Sequence, residues 1–185
     1  MPLVAVIGPS GCGKSSVVRE LVHRHGAVVH PTWTTRRRRP DERTGCIEHR
    51  FVSDEVFDAL DTERFFIETA RPFGLPWRYG LPAVGDGGAN RLDLLTLRAP
   101  YVERMRVLLP VALVVQIEDD PVRVAARLAD RGGPTAELAA RLADNEREVV
   151  LGRAVADCTL VNDSSVSELA DRLLAGVAPQ PSIVR

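Results

Sequence analysis

Gly8, Pro9, Ser10, Gly11, Cys12, Gly13, Lys14 and Ser15 stand in the spacing G-x-x-x-x-G-K-S. Glycines at these places let successive backbone N–H groups converge on phosphate oxygens, and a helix opening at Gly13 adds its positive end. In that arrangement Lys14 reaches the β- and γ-phosphates of a nucleotide, and the Ser15 hydroxyl is a magnesium ligand. An apolar run over residues 3–7 precedes the motif and an amphipathic pattern over 13–25 follows it, the strand–loop–helix setting that it requires. Lys14 is also the only lysine in the chain, arginine supplying every other long basic side chain. A compact ammonium on a flexible stem suits a phosphate loop, which explains the exception. The chain handles a nucleotide, and the question is what it phosphorylates or hydrolyses.

Four features outside the loop carry possible chemistry. Thr34, Thr35, Arg36, Arg37, Arg38 and Arg39 lead into Pro40, and the run is either a solvated face or, as its place after a short strand favours, an anion clamp of bidentate guanidinium groups. Glu68 lies in a strand-like apolar stretch, where a carboxylate is edge-exposed or reads a donor pair on a ligand. Arg127, Arg131 and Arg141 surround a Gly-Gly-Pro turn; they suit a closing lid that brings cations to a transferring phosphoryl group, against the plainer alternative of helix-surface charge. Asn162 and Asp163 follow the last apolar run, at the strand end where α/β sheets bind ligands. His23 with His25, and Cys46 with His49, lack the further ligands of a metal site. Trp33 and Trp77 read as core or pocket wall.

The elements that must position these residues alternate. Strands are expected over 4–7, 27–30, 49–52, 65–70, 92–97, 111–117 and 159–161, a turn with short strands over 73–80, and helices over 13–25, from Ser53, and on both sides of the Gly-Gly-Pro turn. Asp120 with Pro121 is an N-cap followed by proline at the first helical position, and Ser165-x-x-Glu168 is a capping box for a final helix. The hexamer AARLAD occurs twice, which reads as two helices of like design and not as a repeat fold. The expected architecture is α/β: a P-loop NTPase-type parallel sheet with helices on both faces, a small β-rich insertion at about 34–82 and a short helical lid at about 128–141. All of this falls in one domain over 1–176, with a loose tail over 177–185.

The 185 residues suffice for one full core, and a net charge of −1 argues against a nucleic-acid-wide or membrane-directed field. Three scattered cysteines fit a reducing cytoplasm better than a disulfide framework. No run approaches the roughly 18 apolar residues of a membrane span, and no leader pattern opens the sequence, so a cytoplasmic protein is expected.

The motifs together resemble the guanylate kinase family, enzymes that pass the γ-phosphate of ATP to GMP, over roughly residues 3–176. GPSGCGKSS resembles that family's ATP-binding loop, through Ser16. Thr34-Thr35-Arg36 with Arg39 is similar to its Thr-Thr-Arg-x-x-Arg signature, which implies that Arg36 and Arg39 hold the GMP phosphate. Thr32 falls on a guanine-contacting Ser and Glu68 on the guanine-reading Glu. Tyr79 falls on a phosphate-contacting Tyr, Arg127, Arg131 and Arg141 on lid and catalytic arginines, and Asn162 on an adenine-side Asn. The resemblance implies Mg2+ as cofactor, ATP and GMP as substrates, no nucleic acid or membrane partner, and a monomer or homodimer. Departures accompany it: Glu48 or His49 stands where a second phosphate-binding Tyr belongs, and Thr96 and Arg98 stand where a strand should end in carboxylates serving guanine and the magnesium waters. Asp93, Asp119 and Asp120 are the candidates to replace that carboxylate. Glu48-His49, Gly74-Leu75 with Tyr79-Gly80, and Leu97-Arg98-Ala99 resemble instead the ribose 1,5-bisphosphate phosphokinases, which implies a sugar-phosphate acceptor as the alternative. A guanylate-kinase-like module that binds without turnover is the third reading, disfavoured by the intact Lys14 and Ser15.

Overall fold

The computed structural model of the chain describes residues 3–38, 42, 46–71, 76–85, 91–130 and 135–177. β1 (Leu3–Ile7) is buried along its whole length, as a continuous apolar run in a central parallel strand must be. It lies between β7 (Asp93–Thr96) and β8 (Val111–Glu118), and the five-stranded sheet has the order β2 (Val28–Val29), β7, β1, β8, β9 (Cys158–Val161), with every pairing parallel. Side chains alternate across β1. Val4 and Val6 face a core shared with α1 (Lys14–His25), α4 (Pro121–Asp130) and α6 (Val166–Val177), through Val17, Val18, Leu21, Val124, Leu169 and Leu173. Ala5 and Ile7 face the opposite side, toward Ala99, Val102 and Val114. The expected parallel sheet covered on both faces is present.

Between β2 and β7 the chain builds a second sheet of order β4 (His49–Phe51), β3 (Thr32–Thr34), β6 (Tyr79–Pro82), β5 (Phe66–Ala70). Its core is aromatic: Phe57 of α2 (Asp54–Thr62) stacks on Phe66 at 4.7 Å, and Trp33 meets Phe65 and Phe66 edge-on. This is the β-rich insertion, and the side chain of Ser53 caps α2 as expected, accepting from the Val56 N–H. Arg78 fastens the insertion from outside, lying 4.5 Å over the Phe57 ring and pairing with Asp54 and Asp58.

Two elements lay outside the sequence expectations. Thr32–Thr34 is a strand, and a 3₁₀ turn (Ala99–Tyr101) runs into α3 (Val102–Leu108), which buries Val102 and Met105. The capping signals hold: the Val122 N–H bonds the Asp120 carboxylate, and Ser165 and Glu168 exchange backbone-to-side-chain bonds. α5 (Thr135–Val155) is the longest helix among the described elements. The lid turn at 131–134 and the tail at 178–185 lie outside the described residues.

Candidate active site

The phosphate loop folds between β1 and α1 because its glycines take conformations closed to other residues. Gly8 has φ 136°, and a Cβ there would meet the Ile117 carbonyl oxygen at 2.1 Å; Gly13 has φ 104° and would strike the Asn162 side chain at 2.6 Å. Lys14 Nζ donates to the carbonyls of Gly8 at 2.6 Å and Pro9 at 2.8 Å, so the ammonium is held over the loop.

Two latches set the loop against its surroundings. Asn145 of α5 donates to the Ser10 carbonyl at 3.0 Å and accepts from the Ser10 N–H at 2.8 Å. On the far side Asn162 donates to the Cys12 carbonyl at 3.0 Å and to Asp119 at 3.1 Å, while Arg127 donates to the Gly11 carbonyl at 3.0 Å and also grips Asp119. The Asp119 side chain is fully buried between Arg123, Arg127 and Asn162.

A cleft of about 240 Å³ runs from the phosphate loop to the second sheet; Lys14, Ser15, Arg36, Glu68, Tyr79 and Arg141 are among its walls. Arg36 is 5% exposed. Its Nε donates to the Tyr79 hydroxyl at 2.9 Å, and its two terminal nitrogens grip both oxygens of Glu42 at 2.8 and 2.7 Å. Burial by itself would pull this guanidinium down, but the hydrogen bonds to Glu42 and Tyr79 outweigh it and hold its pKa above the ordinary arginine value. The fork thus holds a planar carboxylate in bidentate fashion. Arg38 lies 4.7 Å from the Phe51 ring centroid.

At the end of the cleft formed by the second sheet the Glu68 carboxylate takes a bond from Arg104 of α3. Thr32 Oγ1 and His49 Nδ1 lie 2.8 Å apart, and the His49 ring rests edge-on against Tyr79. Arg98, in the next wall, pairs with Asp144 and with Glu148, which also accepts from the Ala99 N–H at 2.7 Å. Glu48 is 6% exposed yet lines the cleft. Burial pushes its carboxyl up, and the Ser15 hydroxyl, Lys14 and Arg19 beside it act against that rise.

A guanylate kinase family model matches residues 1–79. The chain is 35% identical over 181 residues to the guanylate kinase of Thermobifida fusca, spanning 95% of this chain and 90% of that one. The chain belongs to the guanylate kinase family. It is also 35% identical over 167 residues to a ribose 1,5-bisphosphate phosphokinase of Acidiphilium cryptum, covering 85% of this chain and 84% of that one. A crystal structure of guanylate kinase from Anaplasma phagocytophilum has the same fold, with a TM-score of 0.67 at 23% identity over 95% of this chain and 84% of that one.

Within this kinase fold the structure gathers Lys14, Ser15, Ser16, Thr32, Arg36, Glu68, Tyr79 and Arg141 on one cleft. Arg127 and Asn162 are not among the cleft walls; both are drawn to the phosphate loop, with Asp119 between them. Arg39 and Arg131 lie outside the described residues. None of the three aspartates suggested as the missing carboxylate lines the cleft. Asp93 stands at the start of β7 with His30, 3.0 Å away, because it pairs in register with Leu3 and not with the phosphate-loop end of β1. Asp119 is spent behind the loop, and Asp120 caps α4. Sequence reasoning missed Glu42, Asn145 and Glu48. Only Glu48 carried a signal, since it or His49 stood where a tyrosine was expected.

Proposed function

We propose that the chain transfers the γ-phosphoryl group of ATP to GMP, with magnesium on the donor phosphates, in the cytoplasm and on small molecules only. The observation that carries this reading is the single cleft joining Lys14 and Ser15 to Arg36, Tyr79 and Glu68. The phosphate-loop amides and Lys14 hold the β- and γ-phosphates of ATP, with Ser10 to Ser16 around them, and Asn162 supports the loop on the adenine side. Arg36 and Tyr79, with Arg39, orient the acceptor phosphate in line, while Thr32 and Glu68 read the base. Arg141, with Arg127 and Arg131, offsets charge on the transferring group. The acceptor is already a phosphate oxyanion, so no side chain has to remove a proton; positioning and charge carry the rate.

Magnesium fits the oxygen donors available. The Ser15 hydroxyl is a hard ligand, and no group of three or more His, Cys, Asp or Glu among the described residues forms an all-protein cage. Such an ion is held by nucleotide phosphates, water and one or two protein oxygens, and when bound it neutralises charge on the β- and γ-oxygens.

A second reading has its own support. Arg98 stands where the family places a carboxylate, and Glu68 is paired with Arg104, so two guanidinium groups border the acceptor end. Ribose 1,5-bisphosphate is the alternative acceptor. ADP release measured with GMP, dGMP, AMP, UMP and ribose 1,5-bisphosphate offered separately decides between them. Turnover confined to the guanine nucleotides is expected, and turnover confined to the sugar phosphate overturns the first reading. Silence with all five favours a binding module.

A further inference from the structure

Among the described residues three carboxylates line the cleft, and they are differently engaged. Glu42 grips the Arg36 fork, and Glu68 takes Arg104. Glu48 instead shares the cleft wall with Lys14, Ser15 and Arg19, and these three act on its carboxyl against the rise that burial causes. The residue is fixed from behind: its carbonyl accepts the Thr32 N–H at 3.0 Å, which ties it to the start of β3. At 6% exposure it is a buried acid, with Ser15, Lys14 and Arg19 favouring its charged form and Glu42 opposing it. A carboxylate is costly to bury alone, and Lys14, Arg19 and the Ser15 hydroxyl are the company that it has here.

In P-loop enzymes the loop hydroxyl shares its metal with a carboxylate from the core sheet. Here the end of β7 offers Thr96 and Arg98, and Arg98 is engaged by Asp144 and Glu148. We propose that Glu48 is the positioning residue for magnesium at this phosphate loop, acting through the Ser15 hydroxyl and the waters of the ion. A carboxylate that accepts the Ser15 proton aims the oxygen lone pairs outward and makes the hydroxyl a better donor, the way outer-shell partners tune metal ligands. Its other oxygen is an acceptor for water on an ion that keeps several waters.

The placement has a consequence of its own. Glu48 belongs to the acceptor-binding insertion and not to the central sheet, so the metal is supported by the part of the molecule that receives the acceptor. Metal affinity and acceptor affinity are then coupled, and the coupling runs equally in both directions.

The inference rests on the donor being a metal–nucleotide complex, and the test separates the two. Mn2+ binding is followed by its spin-resonance signal in the presence of a non-hydrolysable ATP analogue, and binding of the analogue without metal is measured alongside. Glu48→Gln is expected to raise the Mn2+ dissociation constant by about 10- to 100-fold and to leave metal-free analogue binding unchanged. Glu48→Asp should fall between. In a Ser15→Ala background the Gln substitution should add nothing further, since both act on one ligand. Unchanged Mn2+ affinity in Glu48→Gln overturns the inference, as does a parallel loss of metal-free binding and thermal stability. So does tighter metal-free binding with unaltered Mn2+ affinity, which would mean that Glu48 merely offsets Lys14. A wild-type protein that takes up no Mn2+ with the analogue sinks the donor reading as well.

Discussion

Replacing Arg98 by Met removes the guanidinium that grips Glu148 and tests whether that ion pair holds the cleft wall to α5. Glu148 is 2% exposed and takes Arg98 through Nη2 at 2.8 Å and Nε at 3.1 Å, with the Ala99 N–H on its other oxygen. In Arg98→Met the carboxylate stays buried with that one N–H. Breaking a buried pair from one side costs about 3–5 kcal/mol, because the remaining charge is left uncompensated. Asp144 is less affected, since its side chain is 23% exposed and turns to water. For a domain of this size each kcal/mol moves the melting temperature by about 2–4 °C. The expected fall is therefore on the order of 10 °C by calorimetry. Glu148→Gln alone should cost less, because Arg98 is partly exposed and keeps Asp144. The double variant Arg98→Met with Glu148→Gln should recover more than half of the loss, as the buried charge is gone. A fall of less than about 3 °C in Arg98→Met, or a double variant as unstable as the single, would refute the argument that buried charge dominates here.

Three further outcomes are expected. Glu68→Gln removes a charged acceptor for guanine donors, worth about 1.5–3 kcal/mol, so kcat/KM for GMP should fall about 10- to 150-fold, while activity on a sugar phosphate, if that is the acceptor, should change little. Asn145→Ala breaks both bonds to the Ser10 backbone and should weaken ATP binding by about 5- to 30-fold, seen by calorimetric titration, for a loss of about 1–2 kcal/mol, with the melting temperature moving only a few degrees. The Arg153 hydrogen bond holds the Glu118 carboxyl below its ordinary value near 4.5. That pair therefore stabilises the fold above 4.5 and loses its contribution as pH falls through the depressed value. Melting curves of wild type and Arg153→Met should accordingly differ at neutral pH and converge in acid.

Legibility in the sequence followed the range of the interaction. The phosphate loop, the Asp120–Pro121 helix start and the Ser165–Glu168 box are written within a few residues, and the structure has them where the pattern put them. α3 went unread because two buried positions, Val102 and Met105, are too few to establish a period. The partners of Arg98 lie on α5, far along the chain, so only the folded sheet brings them together. The same holds for Asn145 and Ser10. Glu48 shows the limit most clearly. A lone acid just before a short strand has no sequence signature of burial, and its neighbour Ser15 lies at the start of α1, far back along the chain.

The single lysine makes the phosphate loop chemically addressable. Lys14 Nζ is the one side-chain amine, and in the loop it is tethered to the Gly8 and Pro9 carbonyls. An amine-selective reagent, once the α-amino group is blocked, therefore reports on one atom at the centre of the site. Its rate of attachment becomes a direct gauge of nucleotide occupancy, with no engineered label and no coupled assay.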